Sequence, residues 1–580
     1  MIVQELYALQ KNVGYLRPSD LRNLAKRLQV PLYRLQEVGS FFPHFRTEAP
    51  PAVEVKICRD MACHRYGACE LMQQVSQLQS AQGPGQLSVE GVSCLGRCDR
   101  APAVCVNDHH FYYSRTNEEM VQIVERSLGG ELPEHDADVD HTDPSESWSI
   151  DVYDASHDYQ CVRDFVAAGD SSAARDSVIE MLERAGLLGM GGAGGRTYKK
   201  WSDVRRAAGD EKFVVCNGDE SEPGTFKDRE IFLRAPHLVL EGMILGGLVA
   251  GAQKGYVYIR HEYLEQIAAV EQAIESARKL GACGPRIFGT DHAFELEVFV
   301  SPGGYICGEQ TALIEAMESK RGQPRNRPPE LQTNGLWNKP TLLNNVETFA
   351  WVPTIVLREA GQWYADQGRD NCLGKRLFSI SGDVERPGVY EVPIGISLRQ
   401  LVDEHAGGIR DGRKLKAVAT SGPSGGFLPA QLPVEHLPPK FVSAHLPADS
   451  THFDILDLKL DVATSRTMRV MLAAGIVVYA EPVDMVDVAR NCTEFYRNES
   501  CGKCVPCRIG SQKLVEIGTR LQNHEYDQQT FEIQRELIDE LASTMILTSI
   551  CGLGMVASNP LSSLLKYFPE VAEAYLNMEV

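Results

Sequence analysis

Residues 178–195 read VIEMLERAGLLGMGGAGG, and this stretch decides what kind of α/β fold the chain can have. Its last seven residues, 189–195, contain the pattern G-x-G-x-x-G. That pattern marks a dinucleotide-binding Rossmann unit only where it follows a β-strand, whereas the residues before it have helical spacing. The sequence therefore predicts a glycine loop outside a Rossmann unit. Its backbone N–H groups could still approach a phosphate, with Lys200 adding charge; the alternative is a purely structural loop.

Downstream of the glycine loop, strand-like and helix-like segments alternate. The strand-like segments are 213–216, 256–259 and 295–300. Such alternation predicts an α/β sandwich. From 376 to about 460 the pattern changes to short strands with Gly and Pro turns, and the last hundred residues have helical periodicity.

Upstream, the first forty residues have a helical pattern, with Pro18 at the expected start of one helix. Two short helices could be a DNA-reading motif, but a helical cap on the next domain fits an acidic chain better. A compact α/β unit then ends near Gly130. Residues 131–160 carry ten acidic residues and no Lys or Arg, which predicts a solvated linker.

Composition limits the function classes. The 580 residues suggest three or four domains, and a net charge of −20 disfavours nucleic acids and anionic membranes as partners. The longest apolar stretches, 243–252 and 470–480, are too short to span a bilayer. The first residues lack the charged-then-apolar order of a signal peptide, so we expect a cytoplasmic protein.

Eight of the sixteen cysteines form two tight clusters, which in a large chain favours metal binding over disulfides. The first cluster consists of Cys58, Cys63, Cys94 and Cys98. Four thiolates in two close pairs can hold zinc or an iron–sulfur cluster, and the spacing alone does not decide between them.

The second cluster is ESCGKCVPCRIG, which contains Cys501, Cys504 and Cys507. Three thiolates spaced by two residues can hold one corner of a cubane cluster, so a fourth ligand must come from elsewhere. Cys551, in TSICGLG, is the candidate.

Several motifs carry a family resemblance. CLGRCDRAPAVCVN (94–107) and RLQEVGSFF (34–42) resemble the thioredoxin-like [2Fe-2S] subunit of respiratory complex I. GMGGAGG, VVCNGDESEPGTFKDR (214–229), GGYICGEQTALIEAMES (303–319) and KPTLLNNVET (339–348) occur in the order found in the complex I flavoprotein subunit, as does the second cysteine cluster. The chain resembles a natural fusion of the two, as in the beta (diaphorase) subunits of NAD-dependent formate dehydrogenases and NAD-reducing hydrogenases.

The resemblance implies an α/β multidomain fold. The implied parts are a helical cap plus thioredoxin-like [2Fe-2S] domain, an acidic linker, an α/β domain that binds FMN and possibly NADH, a small β-grasp-like domain, and a C-terminal helical bundle with a [4Fe-4S] cluster. Their expected limits are 1–130, 131–171, 172–375, 376–465 and 466–580.

The resemblance also implies site residues. All four cysteines of the first cluster would hold a [2Fe-2S] cluster, and Cys501, Cys504, Cys507 and Cys551 a [4Fe-4S] cluster. The residues implied to contact FMN are Gly189, Gly191, Gly192, Lys200, Asn217, Asp219, Glu220, Gly308, Glu309, Asn344 and Asn345. Glu222 and Tyr305 would lie near the nicotinamide. No acid–base residue is assigned, because the cofactors carry the redox chemistry.

The departures from the family pattern are concentrated where the adenine of NADH is expected. Gly195 and Arg196 replace Phe and Pro, and two further aromatic positions are Asp203 and Glu330. Arg327 stands where Lys is usual, and Gln310 where the second Glu of a GEE motif is usual. Stacking on an aromatic is worth roughly 1–3 kcal/mol per base, and the two carboxylates would repel a pyrophosphate. FMN binding is therefore expected to persist while nucleotide binding is altered.

Three functions follow as hypotheses. In the first, electrons pass between NAD(H) and the clusters through FMN, with a formate dehydrogenase, hydrogenase or similar catalytic chain and an iron–sulfur subunit as partners. In the second, the chain is a relay to ferredoxin or another non-nicotinamide carrier. In the third, it is a scaffold that has lost its cofactors; the eight cluster cysteines disfavour this hypothesis.

Overall fold

The computed structural model describes residues 2–138, 148–153, 157–169 and 171–577. Much of the predicted acidic linker, including Pro144, Ser145 and Ser147, therefore lies outside the described residues.

Three helices open the chain: α1 Ile2–Val13, α2 Pro18–Leu28 and α3 Leu32–Phe41. Helix α2 begins at the predicted proline, whose missing N–H costs nothing at a first helical position. The sequence predicts that these helices cap the adjoining α/β unit. They do not cap that unit alone, because Leu6, Leu21 and Leu24 belong to the same apolar core as Phe213 and Phe299 of a later sheet. An apolar stripe predicts that a helix face is buried but not what covers it.

The first α/β unit is a four-stranded sheet with strand order β2-β1-β3-β4, in which only β1 and β2 are parallel. Its elements are β1 Val53–Cys58, α4 Met61–Arg65, α5 Ala68–Ala81, β2 Leu87–Val92, β3 Ala103–Val106, β4 His110–Tyr113 and α6 Asn117–Leu128. Helix α6 begins with a capping box, in which the Thr116 and Glu119 side chains each accept a hydrogen bond from the other's backbone N–H.

The described part of the linker departs from the predicted solvated segment, because Asp138, Trp148, Ile150 and Tyr159 are buried and Gln160–Ala167 forms a helix. Asp138 is buried and accepts a hydrogen bond from Arg97 Nε at 2.7 Å. Trp148 is also buried, with the Arg234 guanidinium 3.9 Å from its ring centre. Composition predicts the solvation of the segment as a whole, whereas a single acidic residue is buried when a buried arginine is available to pair with it.

The central unit contains a fully parallel four-stranded sheet with strand order β7-β6-β5-β8. Its strands are β5 Phe213–Gly218, β6 Lys254–Arg260, β7 Glu295–Ser301 and β8 Thr341–Asn345. Its helices are α7 Gln160–Ala167, α8 Ser172–Ala185, α9 Thr197–Arg206, α10 Lys227–Arg234, α11 Pro236–Ala250, α12 Leu264–Leu280, α13 Gln310–Met317, α14 Leu331–Asn334, α15 Val346–Leu357 and α16 Gln362–Ala365. Helix α8 ends just before the glycine loop, as its periodicity predicts. The chain leaves β5 towards β6 on one side and returns to β8 on the other, and such a reversal leaves a crevice at the carboxyl ends of the strands.

The third unit contains a five-stranded sheet with strand order β10-β9-β15-β11-β12 and a two-stranded β13-β14 ladder. Its elements are β9 Lys375–Gly382, β10 Gly388–Pro393, β11 Leu415–Pro423, β12 Leu428–Pro429, β13 Gln431–Pro433, α17 Pro439–His445, β14 His452–Asp454, α18 Val462–Met468 and β15 Gly475–Ala480, with a π-helix at Gln400–His405.

The carboxyl-terminal part is helical: α19 Met485–Glu499, α20 Val505–Gln522, α21 Gln528–Thr548, α22 Gly552–Val556, α23 Asn559–Tyr567 and α24 Pro569–Glu573. Within the described ranges, no single helix is both long and apolar enough to cross a bilayer. The neighbouring helices α10 and α11 satisfy length and composition only together, and they are bent by 93° relative to each other.

Candidate functional site

The glycine loop is held closed at its two ends. Gly189 N–H donates to the carbonyl of Gly195 at 2.7 Å, and Leu188 and Arg196 form an isolated antiparallel bridge. Met190 N–H donates to Thr348 Oγ1 on α15 at 2.9 Å. The loop therefore has a fixed place beside the first turn of α15.

Glycine at two loop positions keeps side chains out of the space beside the loop. A Cβ on Gly191 would lie 3.1 Å from Asn345 Cβ. Gly192 has φ +111°, which only glycine adopts without strain, and a Cβ there would have open space around it. The loop backbone thus borders an open space next to the end of β8.

The end of β5 lies beside the end of β8 in parallel register, with Asn217 paired to Asn345. Asn217 Nδ2 donates to the Gly308 carbonyl at 2.9 Å, and Asn345 Nδ2 donates to Asp228 Oδ2 at 2.6 Å. Asn344, one residue earlier, is buried beside Trp201. The structure therefore brings the predicted glycine, asparagine and Gly308 positions to one edge of the parallel sheet.

The acidic loop after β5 divides into two roles. Glu220 accepts hydrogen bonds from the N–H groups of Asp228 and Arg229 at 2.9 and 3.1 Å, so it caps the start of α10. Asp219 is buried, and neither of its carboxylate oxygens has a hydrogen-bond partner among the described residues. Burial raises the pKa of both Asp219 and Glu220 to about 8. Asp219 is thus an orphaned polar group at the sheet edge, as expected of a residue whose partner is a bound group.

Glu222 joins three parts of the chain. Ser424 Oγ, which lies just after β11, donates to Glu222 Oε1 at 2.5 Å, and the Tyr305 hydroxyl donates to Oε2. Burial raises the pKa of Glu222 to about 7, although these hydrogen bonds favour the carboxylate. The predicted pair Glu222 and Tyr305 is therefore in direct contact.

Lys200 is a partly buried cation at the site. Its ammonium donates to the Leu343 carbonyl at 2.8 Å, and no carboxylate partner is found for it among the described residues. Burial, with a smaller contribution from the positive charge of Arg327, lowers the pKa of Lys200 to about 8. A partly buried cation without a carboxylate partner, beside a glycine loop, fits the phosphate of FMN.

Three of the departures from the family pattern, Gln310, Arg327 and Glu330, are neighbours in space. Arg327 donates to Glu309 Oε1 at 2.7 Å and lies 3.8 Å from Glu330. With its amide oxygen turned towards Arg327, Gln310 accepts from the same guanidinium at 2.6 Å. Glu309 also caps α13 through the Thr311 and Ala312 N–H groups, so it is held on both sides.

Neither substituted carboxylate stands alone. Asp203 pairs with Lys199 at 3.2 Å on the exposed side of α9, and Glu330 has Arg327 beside it. The repulsion of a pyrophosphate expected from the sequence is therefore offset in part by these cations. Tyr198, which no motif marked, is a partly buried aromatic in the same segment, and its hydroxyl lies 3.4 Å from Arg196 Nη1.

The first cysteine cluster converges in the first α/β unit. Cys58, Cys63, Cys94 and Cys98 are all buried and free, and the sulfur atoms of Cys94 and Cys98 lie 3.4 Å apart. The sulfur of Cys58 lies within hydrogen-bonding reach of those of Cys63 and Cys94. Four converging buried thiols fit the ligand set of a [2Fe-2S] cluster.

Two contacts that the sequence predictions did not include join this cluster to the acidic loop. Gly224 N–H donates to Cys98 Sγ at 3.2 Å. Arg229 is fully buried, donates to the Gly96 carbonyl at 2.7 Å and forms two hydrogen bonds with Asp99 at 2.8 and 3.0 Å. A backbone N–H donor has no signature in the sequence, whereas Arg229, in the motif FKDR, could have been identified from it.

The second cysteine cluster surrounds a small cavity. Cys501, Cys504, Cys507 and Cys551 all line it, together with Ile306 and Pro324. Cys504 precedes α20 and Cys551 precedes α22, so both sulfurs lie at helix starts. Burial raises the pKa of Cys507 to about 12 and of Cys551 to about 11, which disfavours free thiolates there unless a cation is bound.

A single turn of 3₁₀-helix, Tyr305–Gly308, borders both regions. Gly308 accepts the hydrogen bond from Asn217, Tyr305 contacts Glu222, and Ile306 lines the cavity of the second cysteine cluster. The sheet-edge crevice and the cluster cavity are therefore separated by one turn of backbone.

Four family models match the chain in order. They are the thioredoxin-like [2Fe-2S] ferredoxin over residues 1–127, the Nuo51 FMN-binding domain over 182–354, the SLBB domain over 377–428, and the NADH-ubiquinone oxidoreductase-F iron–sulfur binding region over 487–575.

Among similar proteins, the F 2 subunit of NADH-quinone oxidoreductase from Rhizobium meliloti is 39% identical over 420 residues, which is 72% of this chain and 92% of that protein. The HndC subunit of the NADP-reducing hydrogenase of Solidesulfovibrio fructosivorans is 37% identical over 69% of this chain and 76% of its own length. The crystal structure of an NAD⁺-reducing [NiFe]-hydrogenase in the H₂-reduced state contains a chain that is 29% identical, with a TM-score of 0.82 over 99% of this chain and 92% of that one.

Proposed function

The chain belongs to the family of the F subunits of NADH-quinone oxidoreductase, and from this premise we propose which of its residues hold the cofactors and the nicotinamide nucleotide. It is an FMN- and iron–sulfur-containing oxidoreductase subunit that passes electrons between NAD(H) and other carriers within a larger redox complex. When bound, FMN supplies two-electron exchange with a nicotinamide and one-electron exchange with the clusters.

We propose that the crevice at the carboxyl ends of β5 and β8 would hold FMN. The backbone of Gly189, Gly191 and Gly192 would bind its phosphate, and the Lys200 ammonium would neutralise that phosphate. Asn217, Asp219, Asn344, Asn345 and Gly308 line the remainder, while Glu220 and Glu309 act one step removed by capping helices α10 and α13. The support is the unpaired Lys200 and the orphaned Asp219 at this edge.

The nicotinamide side is formed by Glu222 and Tyr305. Because Ser424 and Tyr305 hold its carboxylate oxygens, Glu222 is fixed in orientation and excludes water from the flavin face. For the adenine, we propose that Tyr198 replaces the missing aromatics and that Arg196 faces the pyrophosphate. Arg327 is engaged by Glu309 and Glu330 and so serves to position Glu309.

The single observation that carries this function is the short path by which electrons would leave the flavin. The turn Tyr305–Gly308 contacts the crevice on one side and the cavity of Cys501, Cys504, Cys507 and Cys551 on the other. The four cysteines would hold a [4Fe-4S] cluster there, which would supply one-electron transfer, and one backbone turn separates them from the crevice. Cys58, Cys63, Cys94 and Cys98 would hold a [2Fe-2S] cluster on the other side of the acidic loop, which would supply a second electron acceptor.

We propose the finer organisation with the predicted parts 1–130, 131–171, 172–375, 376–465 and 466–580, the fourth of them β-grasp-like and the last a cluster-bearing helical bundle, but with two boundaries moved. The linker ends before α7, whose residues share the core of the central unit, and the fourth part extends to Ala480, because β15 lies between β9 and β11 in its sheet. The chain's partners are other redox subunits. We propose that a hydrogenase or formate dehydrogenase chain, joined through an iron–sulfur subunit, supplies the electrons that reduce NAD⁺.

Anaerobic NADH titration of the purified, oxidised protein tests the function. We expect the flavin absorbance to bleach at micromolar NADH, and Tyr198→Ala to raise the NADH concentration required by about tenfold, consistent with one lost stacking contact. Arg206→Met, at an exposed position at the end of the same helix, is the control. Bleaching by dithionite but not by NADH or NADPH would support the relay to ferredoxin or another non-nicotinamide carrier instead.

A further inference from the structure

Three potential metal ligands meet where the linker joins the central unit, away from both cysteine clusters. Asp151 and His157 come from the linker, and His237 is the second residue of α11. One ligand atom of each lies within 4.8 Å of the others. Asp151 Oδ2 is 3.5 Å from His237 Nε2, and the two imidazole rings stack with centres 3.2 Å apart.

The His237 side chain carries the decisive observation. It is only 8% exposed, and its Nε2 atom has no hydrogen-bond partner among the described residues. Asp151 presents one free oxygen towards it, because Oδ1 already accepts the Tyr153 N–H at 2.9 Å. A buried nitrogen and a carboxylate oxygen thus face a common point without a direct hydrogen bond, as expected where a third atom normally joins them.

The surrounding contacts hold the site before any metal arrives. The Tyr153 hydroxyl donates to both oxygens of Glu241, one turn along α11, at 2.8 and 2.9 Å. The Ile150 N–H donates to Glu391 Oε2 on β10 at 2.9 Å. Only the His157 side chain must change its orientation to bind the ion. Because His157 is exposed, the ion can enter from solvent on that side.

We propose that Asp151, His157 and His237 bind a Zn²⁺ ion that fastens the linker to helix α11. Two imidazoles and one carboxylate are borderline ligands that suit zinc, with water in the fourth position of a tetrahedron. Calcium and magnesium require more oxygen ligands than this site offers. The ion acts as a cross-link at the junction of the linker, the central unit and β10, and it takes no part in electron transfer.

The test uses the full-length protein with its flavin and clusters, purified anaerobically in chelator-treated buffer. Zinc and iron per chain are measured by mass spectrometry, and Zn²⁺ affinity by competition with a chromophoric chelator. His157→Ala removes one ligand at an exposed position, so folding is unaffected, and Asp151→Asn provides a second variant. His135→Ala, an exposed linker histidine outside the site, is the matched control.

We expect about one zinc per wild-type chain. In His157→Ala the affinity should fall at least roughly 100-fold, more than substitutions of outer-shell residues usually cause, with iron content unchanged and His135→Ala like wild type. Equal zinc binding by wild type and His157→Ala would overturn the proposal, as would no zinc binding at all. Cobalt substitution that gave a thiolate charge-transfer band would also overturn it, because the ion would then lie on cysteines. Tighter binding of Fe²⁺ than of Zn²⁺ would overturn the choice of metal.

Discussion

The partly buried ammonium of Lys200 links flavin binding to pH. With a pKa of about 8 in the flavin-free protein, it carries its charge below that value and loses it above. FMN phosphate favours the charged form, so binding above pH 8 must take up a proton. We expect the FMN affinity to be nearly constant from pH 7 to 8 and to fall by up to about tenfold per pH unit above it. Fluorescence titration of the flavin-free protein measures this dependence.

Two variants separate Lys200 from general effects of pH. Lys200→Met should weaken FMN binding by roughly 10- to 100-fold, the range of a charge-assisted hydrogen bond, and should abolish the slope above pH 8. Lys199→Met, whose ammonium is exposed, should retain both affinity and slope. A slope that persisted in Lys200→Met would remove Lys200 from the phosphate site.

Glu222 makes the acidic loop sensitive to pH in the opposite sense to most carboxylates. Burial raises its pKa in the folded protein to about 7, above the ordinary value of 4.5. Its stabilising contribution is therefore complete below about pH 4.5 and is lost as the pH rises through 7, on the order of 3 kcal/mol at full ionisation. We expect the opening free energy of the loop, measured by hydrogen exchange and corrected for intrinsic rates, to fall between pH 5 and 8.

Glu222→Gln, which is neutral at every pH, should reduce that fall by the contribution of Glu222, and the remainder comes from Asp219 and Glu220, whose pKa values are also raised. Glu330→Gln, at an exposed carboxylate, should leave it unchanged. If wild type and Glu222→Gln showed parallel pH profiles, the titrating group would have to be another residue of the loop.

At the scale of elements, helix α10 holds the first α/β unit against the central one. Arg229, its third residue, is fully buried and joins Asp99 and the Gly96 carbonyl beside the [2Fe-2S] site. Removing one partner of a buried ion pair costs roughly 3–5 kcal/mol. Arg229→Met should therefore accelerate hydrogen exchange in residues 94–100 to a corresponding degree.

The exposed pair of Arg126 and Glu131 provides the control for that variant. Exposed pairs are worth at most about 1 kcal/mol, so Arg126→Met should leave exchange in 94–100 unchanged. Exchange in Arg229→Met that matched wild type would mean that apolar contacts alone hold the two units together.

The sequence predicted elements best where a local rule applied. The start of α2 at Pro18, the strand β7 and the helix before the glycine loop follow from backbone preference and periodicity. The partners of those elements could not be predicted, because burial is a property of a face and not of its neighbour. Helices α1–α3 share a core with the central sheet, and Asp138 of the acidic linker is buried against Arg97.

The site was predictable to a similar extent. Motif order pointed to the cysteines and the residues at the sheet edge, and the structure brings them into a group of four buried thiols, one cavity and a crevice. Backbone donors such as Gly224 N–H have no signature in a one-dimensional pattern. The contact of Arg327 with Gln310 and Glu309 also required coordinates, since two substitutions 17 positions apart become one cluster only in the fold.

For the whole molecule, the two cysteine clusters should be separable by iron content. The wild-type chain should hold about six iron atoms, four in one cluster and two in the other. Cys551→Ala should lower the content towards two and remove the [4Fe-4S] signal in electron paramagnetic resonance, while the [2Fe-2S] signal remains. NADH should still bleach its flavin, because the crevice contains none of these cysteines.

Cys492→Ala is the control for iron loss, since Cys492 is a buried cysteine of the same helical region that lies on α19 and not in the cavity. It should retain about six iron atoms. Loss of both cluster signals in Cys551→Ala would show instead that the substitution unfolds the chain.

The hydrogen bond from Gly224 N–H to Cys98 Sγ has a consequence for assembly. Because Cys98 Sγ accepts a hydrogen bond from the central unit, the reduction potential of the [2Fe-2S] cluster depends on how the first unit docks against the central one. If the amino-terminal part folded and acquired its iron but docked imperfectly, this hydrogen bond would be lost and the reduction potential of its cluster would be more negative. The midpoint potential of the [2Fe-2S] centre therefore reports whether the two units are correctly docked, and a redox titration measures it without a structural experiment.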